Sequence, residues 1–232
     1  MNIRIPAILL ILLSSVVFLT PAAAEDRGPH SSSLRLHLKA EDLYEKGHFQ
    51  RAYFIYVNEL AVAGDKYAQY MAGYMSLNGQ GTREDKVAAS AWYRLAAEHG
   101  VPEFTEVRDQ LLESMSEAER SRSDERFIDL RLKYSDLNLA LEIVRGERGQ
   151  IPKEMTGSRL KGRTGPMTIV DSDGAFYTGD VFISRMEGRM QARLDFITDY
   201  MGVEPVSAAM TDREFEQFSG RVDAYLRVID DR

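Results

Sequence analysis

Apolar residues recur at intervals of three and four along most of the chain, which is the spacing of one face of an α-helix. Four such stretches follow one another in the first half of the sequence. They cover residues 34–45, 49–63, 66–76 and 85–98. Gly64 ends the second stretch and Gly100 follows the fourth, in the place that glycine favours after a helix. The pattern therefore predicts two consecutive pairs of helices.

The two predicted pairs are related by a shift of 36 residues, the separation of Gly64 and Gly100. The same shift places Tyr56 on Trp92. A helical pattern that repeats at such a period is typical of an α-solenoid, in which neighbouring units stack on one another.

The second pair carries a set of small, aromatic and turn residues at fixed offsets. They are Ala68, Gly73, Gly79, Gly81, Asp85, Ala89, Trp92, Tyr93, Ala96, Ala97 and Gly100. This set resembles the Sel-1-like repeat, a relative of the tetratricopeptide repeat. The first pair resembles the tetratricopeptide form through Ala40, Gly47, Phe49, Ala52 and Tyr56. The resemblance covers about residues 34–102 and implies a scaffold of protein complexes, including those of the bacterial envelope.

These residues predict packing and turns. Gly73 allows close approach of two helices, and Gly79 and Gly81 suit a turn with positive φ. Asp85 suits the start of a helix, and Trp92 is predicted in the core and not as a ligand-stacking ring. A phosphate-binding loop around Gly79 is the alternative, but no strand precedes it and no lysine follows it in the required position.

Two repeats leave apolar faces uncovered, so further helices are expected to cap them. The spacing predicts a helix over 103–115. The capping box of Ser116 and Glu119 then opens one long or kinked helix that runs towards Gly146. We assign 34–146 to a repeat domain with its capping helix.

Glycine and proline become frequent beyond Gly146, and we assign 147–232 to a C-terminal region. Runs of β-prone residues at 167–170 and 175–177 flank an Asp-Gly turn at Asp173, which predicts a small β-hairpin. The acidic spacing here does not fit an EF-hand, because Phe176 and Phe182 occupy its glycine and glutamate positions.

Two helices are predicted to end the chain. The first opens at Asp180, carries an apolar stripe with three methionines and ends at Gly202. The second follows the capping box of Thr211 and Glu214, and its apolar seam runs to Ile229. These faces are expected to cover each other, the repeats or a second copy, so a homodimer stays an alternative. The expected fold class is mostly α, a short α-solenoid capped by further helices and carrying a small β-hairpin.

The hydrophobic pattern of the N-terminal residues differs from that of the helical stretches. An apolar run at 7–19 follows Arg4 and precedes the small residues Ala22 and Ala24, which predicts a signal peptide over 1–24, cleaved after Ala24. Residues 25–33 read as a flexible leader. We expect a periplasmic or secreted protein that is not membrane-anchored after cleavage.

The amino-acid composition excludes several kinds of functional site. The chain of 232 residues has no cysteine, which excludes disulfides, thiolate metal centres and cysteine nucleophiles. Its formal charge of −7 argues against a nucleic-acid partner. The four histidines, His30, His37, His48 and His99, include no pair four residues apart, and no nucleophile elbow occurs. We therefore expect no catalytic residue, cofactor or metal.

The predicted function is a non-enzymatic adaptor that binds protein partners in the envelope. The first alternative is a glycan- or peptidoglycan-binding module. The second is a cell-wall hydrolase, which has less support in the sequence. Two groups of side chains are the candidate partner-binding residues. They are Tyr67, Tyr70 and Tyr74 in the expected groove, and Arg185, Arg189 and Arg193 along the edge of a later helix. The arginines suit an acidic partner or an anionic glycan, but pairing with the chain's own carboxylates is the favoured reading.

Overall fold

The protein is described by a computed structural model over residues 29–150, 168–170, 174 and 176–229, and this part is mostly helical. The helices are α1 (Pro29–Glu45), α2 (Phe49–Ile55), α3 (Lys66–Leu77), α4 (Lys86–Ala96), α5 (Pro102–Glu113), α6 (Glu117–Tyr134), α7 (Asp136–Gln150), α8 (Gly179–Met201) and α9 (Asp212–Leu226). A π-helical turn (Tyr56–Leu60) and a 3₁₀ turn (Ala61–Ala63) extend α2, and a 3₁₀ turn (Ala97–His99) extends α4. The strands are β1 (Thr168–Val170) and β2 (Phe176–Thr178).

The backbone repeats its geometry at the end of each helix pair. Gly64 and Gly100 both adopt the left-handed conformation, with φ of 84° and 66°. The residue after each glycine is extended and precedes the next helix, with φ and ψ of −68° and 110° at Asp65 and −62° and 121° at Val101. The 36-residue interval of the sequence is thus an interval of equivalent turns.

The predicted packing roles of the glycines are confirmed. Gly79 and Gly81 have φ of 64° and 77°. A Cβ at Gly81 would lie 2.3 Å from the carbonyl oxygen of Phe49, so this turn rests on the backbone at the start of α2. A Cβ at Gly73 would lie 2.8 Å from the ring of Tyr93, which shows how closely α3 and α4 approach.

Local capping also follows the prediction. The Asp85 side chain accepts a hydrogen bond of 2.9 Å from the backbone N–H of Ala88 at the start of α4. The capping boxes at Ser116 and Thr211 are both complete. These contacts satisfy N–H groups that the first turn of a helix cannot pair internally.

The first hydrophobic core is built from α1 to α6 and contains Trp92, which is 5% exposed as the prediction requires. Its largest fully buried side chains are Tyr56, Leu60, Met75, Tyr93, Leu95 and Leu111. Helix α6 closes this core from the side of α4, where Ser90 donates a buried hydrogen bond of 2.6 Å to Ser123.

A second hydrophobic core is built from α7, α8 and α9. Its buried residues are Leu137, Ala140, Leu141, Val144, Met186, Met190, Leu194, Ile197, Phe215, Phe218, Val222 and Leu226. Met186 and Met190 of the α8 stripe are thus core residues, and the partly buried Met201 packs against the same core. Phe215, Phe218 and Val222 of the α9 seam are likewise buried in this core, and the partly buried Tyr225 packs against it.

The predicted long helix from Ser116 towards Gly146 is divided at Ser135. This residue is extended, with φ of −68° and ψ of 151°, and its Oγ accepts a hydrogen bond from the N–H of Asn138 at the start of α7. The buried residues of the first core end before Ser135, at Leu130, and those of the second core begin after it, at Leu137. Helix α7 continues through Gly146 to Gln150.

Strands β1 and β2 pair antiparallel, with Ile169 opposite Tyr177. The predicted turn residues 171–173 lie outside the described residues, and so do the predicted signal peptide and residues 25–28 of the leader. Helix α1 begins at Pro29, within the segment expected to be the leader. Within the described ranges, no helix combines the length and apolarity needed to cross a membrane.

Candidate functional site

The predicted tyrosines of α3 differ in accessibility. Tyr67 and Tyr74 are half-buried, and their rings border the surface. Tyr70 is 5% exposed because its ring stacks on Phe104 of α5 and lies 5.3 Å from the ring of Tyr93. Tyr70 belongs to the first core, so we correct its predicted role as a partner-facing residue.

Helix α1 brings two further side chains to the same place. Glu41 and Tyr44 are half-buried, and the Tyr44 hydroxyl donates a hydrogen bond of 2.9 Å to Oε1 of Gln80. The charge of Glu41 acts on the hydroxyl of Tyr67, and the hydroxyl of Tyr74 acts on that of Tyr44. We call Glu41, Tyr44, Tyr67 and Tyr74 the tyrosine surface.

The hydroxyls of Tyr44 and Tyr67 stay protonated over the physiological range. Burial, followed by the neighbouring Tyr74, raises the pKa of Tyr44 to about 12. Burial, followed by the charge of Glu41, raises the pKa of Tyr67 to about 12. Neutral hydroxyls act as both donors and acceptors beside one carboxylate, which is a combination of apolar ring area and polar tips suited to a protein interface.

A contact between α1 and α3 fixes one edge of this surface. Nε2 of His37 lies 2.7 Å from Oδ2 of Asp65, and the other carboxylate oxygen of Asp65 caps α3 by accepting from the N–H of Ala68 at 2.7 Å. The rings of His37 and Tyr67 are 6.1 Å apart. The two helices are thus held in the relative position that brings Glu41 next to Tyr67.

The sequence did not reveal Glu41 and Tyr44 as members of the surface. They lie on α1, more than twenty residues before Tyr67, and only the packing of α1 against the second pair brings them together. The spacing of the tyrosines on α3 indicated that they lie on one face of that helix. No spacing in the sequence indicated that α1 contributes to the same face.

The arginine row of α8 is engaged within the chain. Arg189 and Arg193 both bind Glu147 of α7, through Nε–Oε1 and NH1–Oε2 distances of 3.3 and 2.9 Å. Arg185 donates a hydrogen bond of 2.6 Å to the Tyr177 hydroxyl and lies over that ring. The favoured reading, internal pairing with acidic residues, holds for Arg189 and Arg193, and the row connects α8 to α7 and β2.

A partly buried ionic cluster connects the first core to the helices that follow it. Glu98 binds Lys66 at 3.1 Å and Nε of Arg131 at 3.5 Å, and Lys66 also binds Asp136 at 3.3 Å. His99 contacts the same Asp136. Burial raises the pKa of Glu98, since desolvation outweighs the attraction of Lys66 and Arg131.

Arg131 extends this connection to the C-terminal end, where it donates a hydrogen bond of 2.8 Å to the carbonyl of Val228. The cluster has a structural role, since each charge in it pairs with an opposite charge of the same chain.

The part of the chain that the structure describes contains no group of three or more histidines and carboxylates arranged to hold a metal ion. No family model, no curated protein and no solved structure matches the chain. The tyrosine surface is therefore interpreted from its own geometry.

Proposed function

We propose that the protein is an exported adaptor that binds a protein partner through the tyrosine surface. The observation that carries the proposal is the placement of three tyrosines and one carboxylate from α1 and α3 on one half-buried face. Tyrosine is enriched at protein interfaces because its ring buries apolar area while its hydroxyl forms directional hydrogen bonds.

The proposal includes a solenoid-like relation between the helix pairs, of the Sel-1-like and tetratricopeptide type. It is supported by the left-handed turns at Gly64 and Gly100, by the extended residues that follow them and by the close approach of α3 to α4 at Gly73. In such an arrangement the first helices of successive pairs form one continuous face. Helices α1 and α3 are the first helices of their pairs, and both contribute to the tyrosine surface.

The described C-terminal helices build a core that does not include the residues of this face. Helices α7, α8 and α9 direct their buried residues into the second core, and α9 contacts α6 and α7. The proposal takes the predicted signal peptide as the reason for an envelope or extracellular location, and a small hairpin of β1 and β2 as a part of the C-terminal region.

The test compares wild-type protein with the double variant Tyr67→Ala, Tyr74→Ala in a pull-down from envelope extract, followed by mass spectrometry. Tyr200→Ala is the matched control, because this exposed tyrosine lies on α8. We expect at least one protein to be retained by the wild type and the control and to be lost at least fivefold with the double variant. Circular dichroism checks that all three proteins are folded.

A pull-down in which no retained protein depends on Tyr67 and Tyr74 would contradict the proposal. Pelleting with purified sacculi distinguishes the alternative, because a peptidoglycan-binding module sediments with them and a protein adaptor stays in the supernatant. Zymography on a cell-wall substrate tests the hydrolase alternative in the same preparation.

A further inference from the structure

A concave feature lies where the turn between α1 and α2 meets the loop between α3 and α4. It is a surface pocket of about 620 Å³. Its lining is Gly47, His48, Phe49, Gln50, Arg51, Gly79, Gly81, Thr82 and Arg83. We call it the loop pocket.

The loop that forms one side of the pocket is held in place by contacts on both flanks. The N–H of Gln80 donates to the carbonyl of Met75 at 2.8 Å, and the N–H of Asp85 donates to that of Ser76 at 2.9 Å. The Gln80 side chain accepts from Tyr44 of α1, and Gly81 rests on the backbone of Phe49. The two sides of the pocket are thus fixed relative to each other before any ligand binds.

The charge of the loop pocket is opposite to that of the whole chain. Two guanidinium groups, those of Arg51 and Arg83, line it from separate elements, whereas the described lining residues include no carboxylate. The neighbouring Glu84 is outside the lining, and its Cβ lies against Gly79. In a chain with a net charge of −7, a pocket with only cationic charges is a local exception.

These cations have no partner among the residues that the structure describes. Among the described residues, neither Arg51 nor Arg83 makes a hydrogen bond or an ion pair, in contrast to the arginines of α8. The backbone N–H groups of Gly81 and Thr82 also have no carbonyl acceptor in the described part of the chain. The Thr82 hydroxyl and the His48 imidazole add further groups able to donate a hydrogen bond.

The geometry points to a binding site for an oxyanion, a carboxylate or phosphate group, between Arg51 and Arg83 in the loop pocket. Guanidinium groups match the two oxygens of such a group, and free backbone N–H groups complete its hydrogen bonds. The pocket is open to solvent and has room for more than a bare anion. This inference is independent of the proposed function, because none of the residues that line the loop pocket belongs to the tyrosine surface.

The test is a titration of ¹⁵N-labelled protein with inorganic phosphate and, separately, with acetate, at constant ionic strength so that general screening does not change. Binding is followed through the amide resonances of Gly81, Thr82 and His48. The double variant Arg51→Ala, Arg83→Ala removes the cations, and Arg126→Ala is the matched control, since it removes one exposed cation from α6.

We expect saturable shifts of the pocket resonances with one or both anions, a dissociation constant at least tenfold higher in the double variant, and a change of less than twofold in the control. Saturation by phosphate alone assigns a phosphoryl ligand, and saturation by acetate assigns a carboxylate ligand. Shifts that fail to saturate with either anion, or that are equal in the double variant, would overturn the site. Since all the substituted side chains are exposed, an unchanged thermal midpoint is expected for each variant.

Discussion

At the scale of single residues, the glycines of this chain differ in whether the surrounding atoms leave room for a Cβ. Gly47 and Gly81 have the same φ of 77°, but a Cβ at Gly47 would meet no atom within 4 Å, whereas one at Gly81 would meet the backbone of Phe49. The pair therefore separates the cost of left-handed backbone conformation from the cost of a close backbone contact.

We expect Gly47→Ala to lower the free energy of unfolding by about 1–2 kcal/mol, the cost of a left-handed L-residue. Gly81→Ala carries the same cost and a steric one of about 1–3 kcal/mol in addition, because a backbone cannot move aside as a side chain does. Urea denaturation of both variants measures the difference. Equal losses would show that the α3–α4 loop is not pressed against Phe49.

A second pair of glycines predicts changes of opposite sign. Gly73→Ala places a Cβ 2.8 Å from the fully buried ring of Tyr93 and is expected to destabilise the protein by about 1–2 kcal/mol. Gly188→Ala in α8 meets no atom within 4 Å and is expected to stabilise it by about 0.5–1 kcal/mol through helix propensity. Thermal denaturation of the two variants gives the signs, and stabilisation by Gly73→Ala would contradict the close packing of α3 on α4.

At the scale of elements, the instructive case is the division of α6 from α7. The apolar spacing continues across Ser135, so periodicity alone predicted one helix. The first cause of the division is Ser135, which adopts an extended conformation and caps α7. The second is that α6 packs into the first core and α7 into the second, which no local sequence pattern indicates. Helix ends with a glycine or a capping box were predictable, because their cause lies within a few residues.

The ionic cluster between elements gives a pH-dependent prediction. The folded-state pKa of Glu98 lies above its ordinary value of 4.5, so the folded protein binds the proton more tightly than the unfolded chain. The stabilisation that Glu98 contributes is therefore fully present below pH 4.5 and is lost as the pH rises through the folded-state pKa. The groups that surround it are Lys66, Arg131 and Asp136.

Glu98→Gln removes this titration. We expect the difference in free energy of unfolding, wild type minus variant, to become smaller as pH is raised from 4.5 to 7. Urea denaturation at several pH values measures it. A difference that grows with pH would show that the attraction of Lys66 and Arg131 outweighs the burial of the carboxylate.

At the scale of the whole molecule, two hydrophobic cores share one chain, and α6, the cluster around Glu98 and the Arg131–Val228 hydrogen bond join them. The sequence predicted the helical class and the order of most helices. It did not predict which core each helix enters or that Phe104 covers Tyr70, because these depend on contacts between distant segments. For the same reason it indicated only the α3 half of the tyrosine surface.

The joined cores are expected to unfold together. Trp92 is the single tryptophan and lies in the first core, so its fluorescence reports that core, whereas far-ultraviolet circular dichroism reports all helices. We expect the two urea transitions to coincide. Leu194→Ala in the second core should cost about 2–5 kcal/mol and shift both transitions equally. A fluorescence transition that does not move would show that the cores unfold independently.

The equivalent turns at Gly64 and Gly100 have a consequence for how such a chain can change its length. The segment 65–100 follows one left-handed glycine, Gly64, and ends on another, Gly100, so a tandem copy inserted after Gly100 would meet its neighbours through junctions that the protein already contains. Gene duplication of this stretch would lengthen the molecule by a whole module without a new linker. The first and last helices would keep their existing contacts with solvent and with the second core.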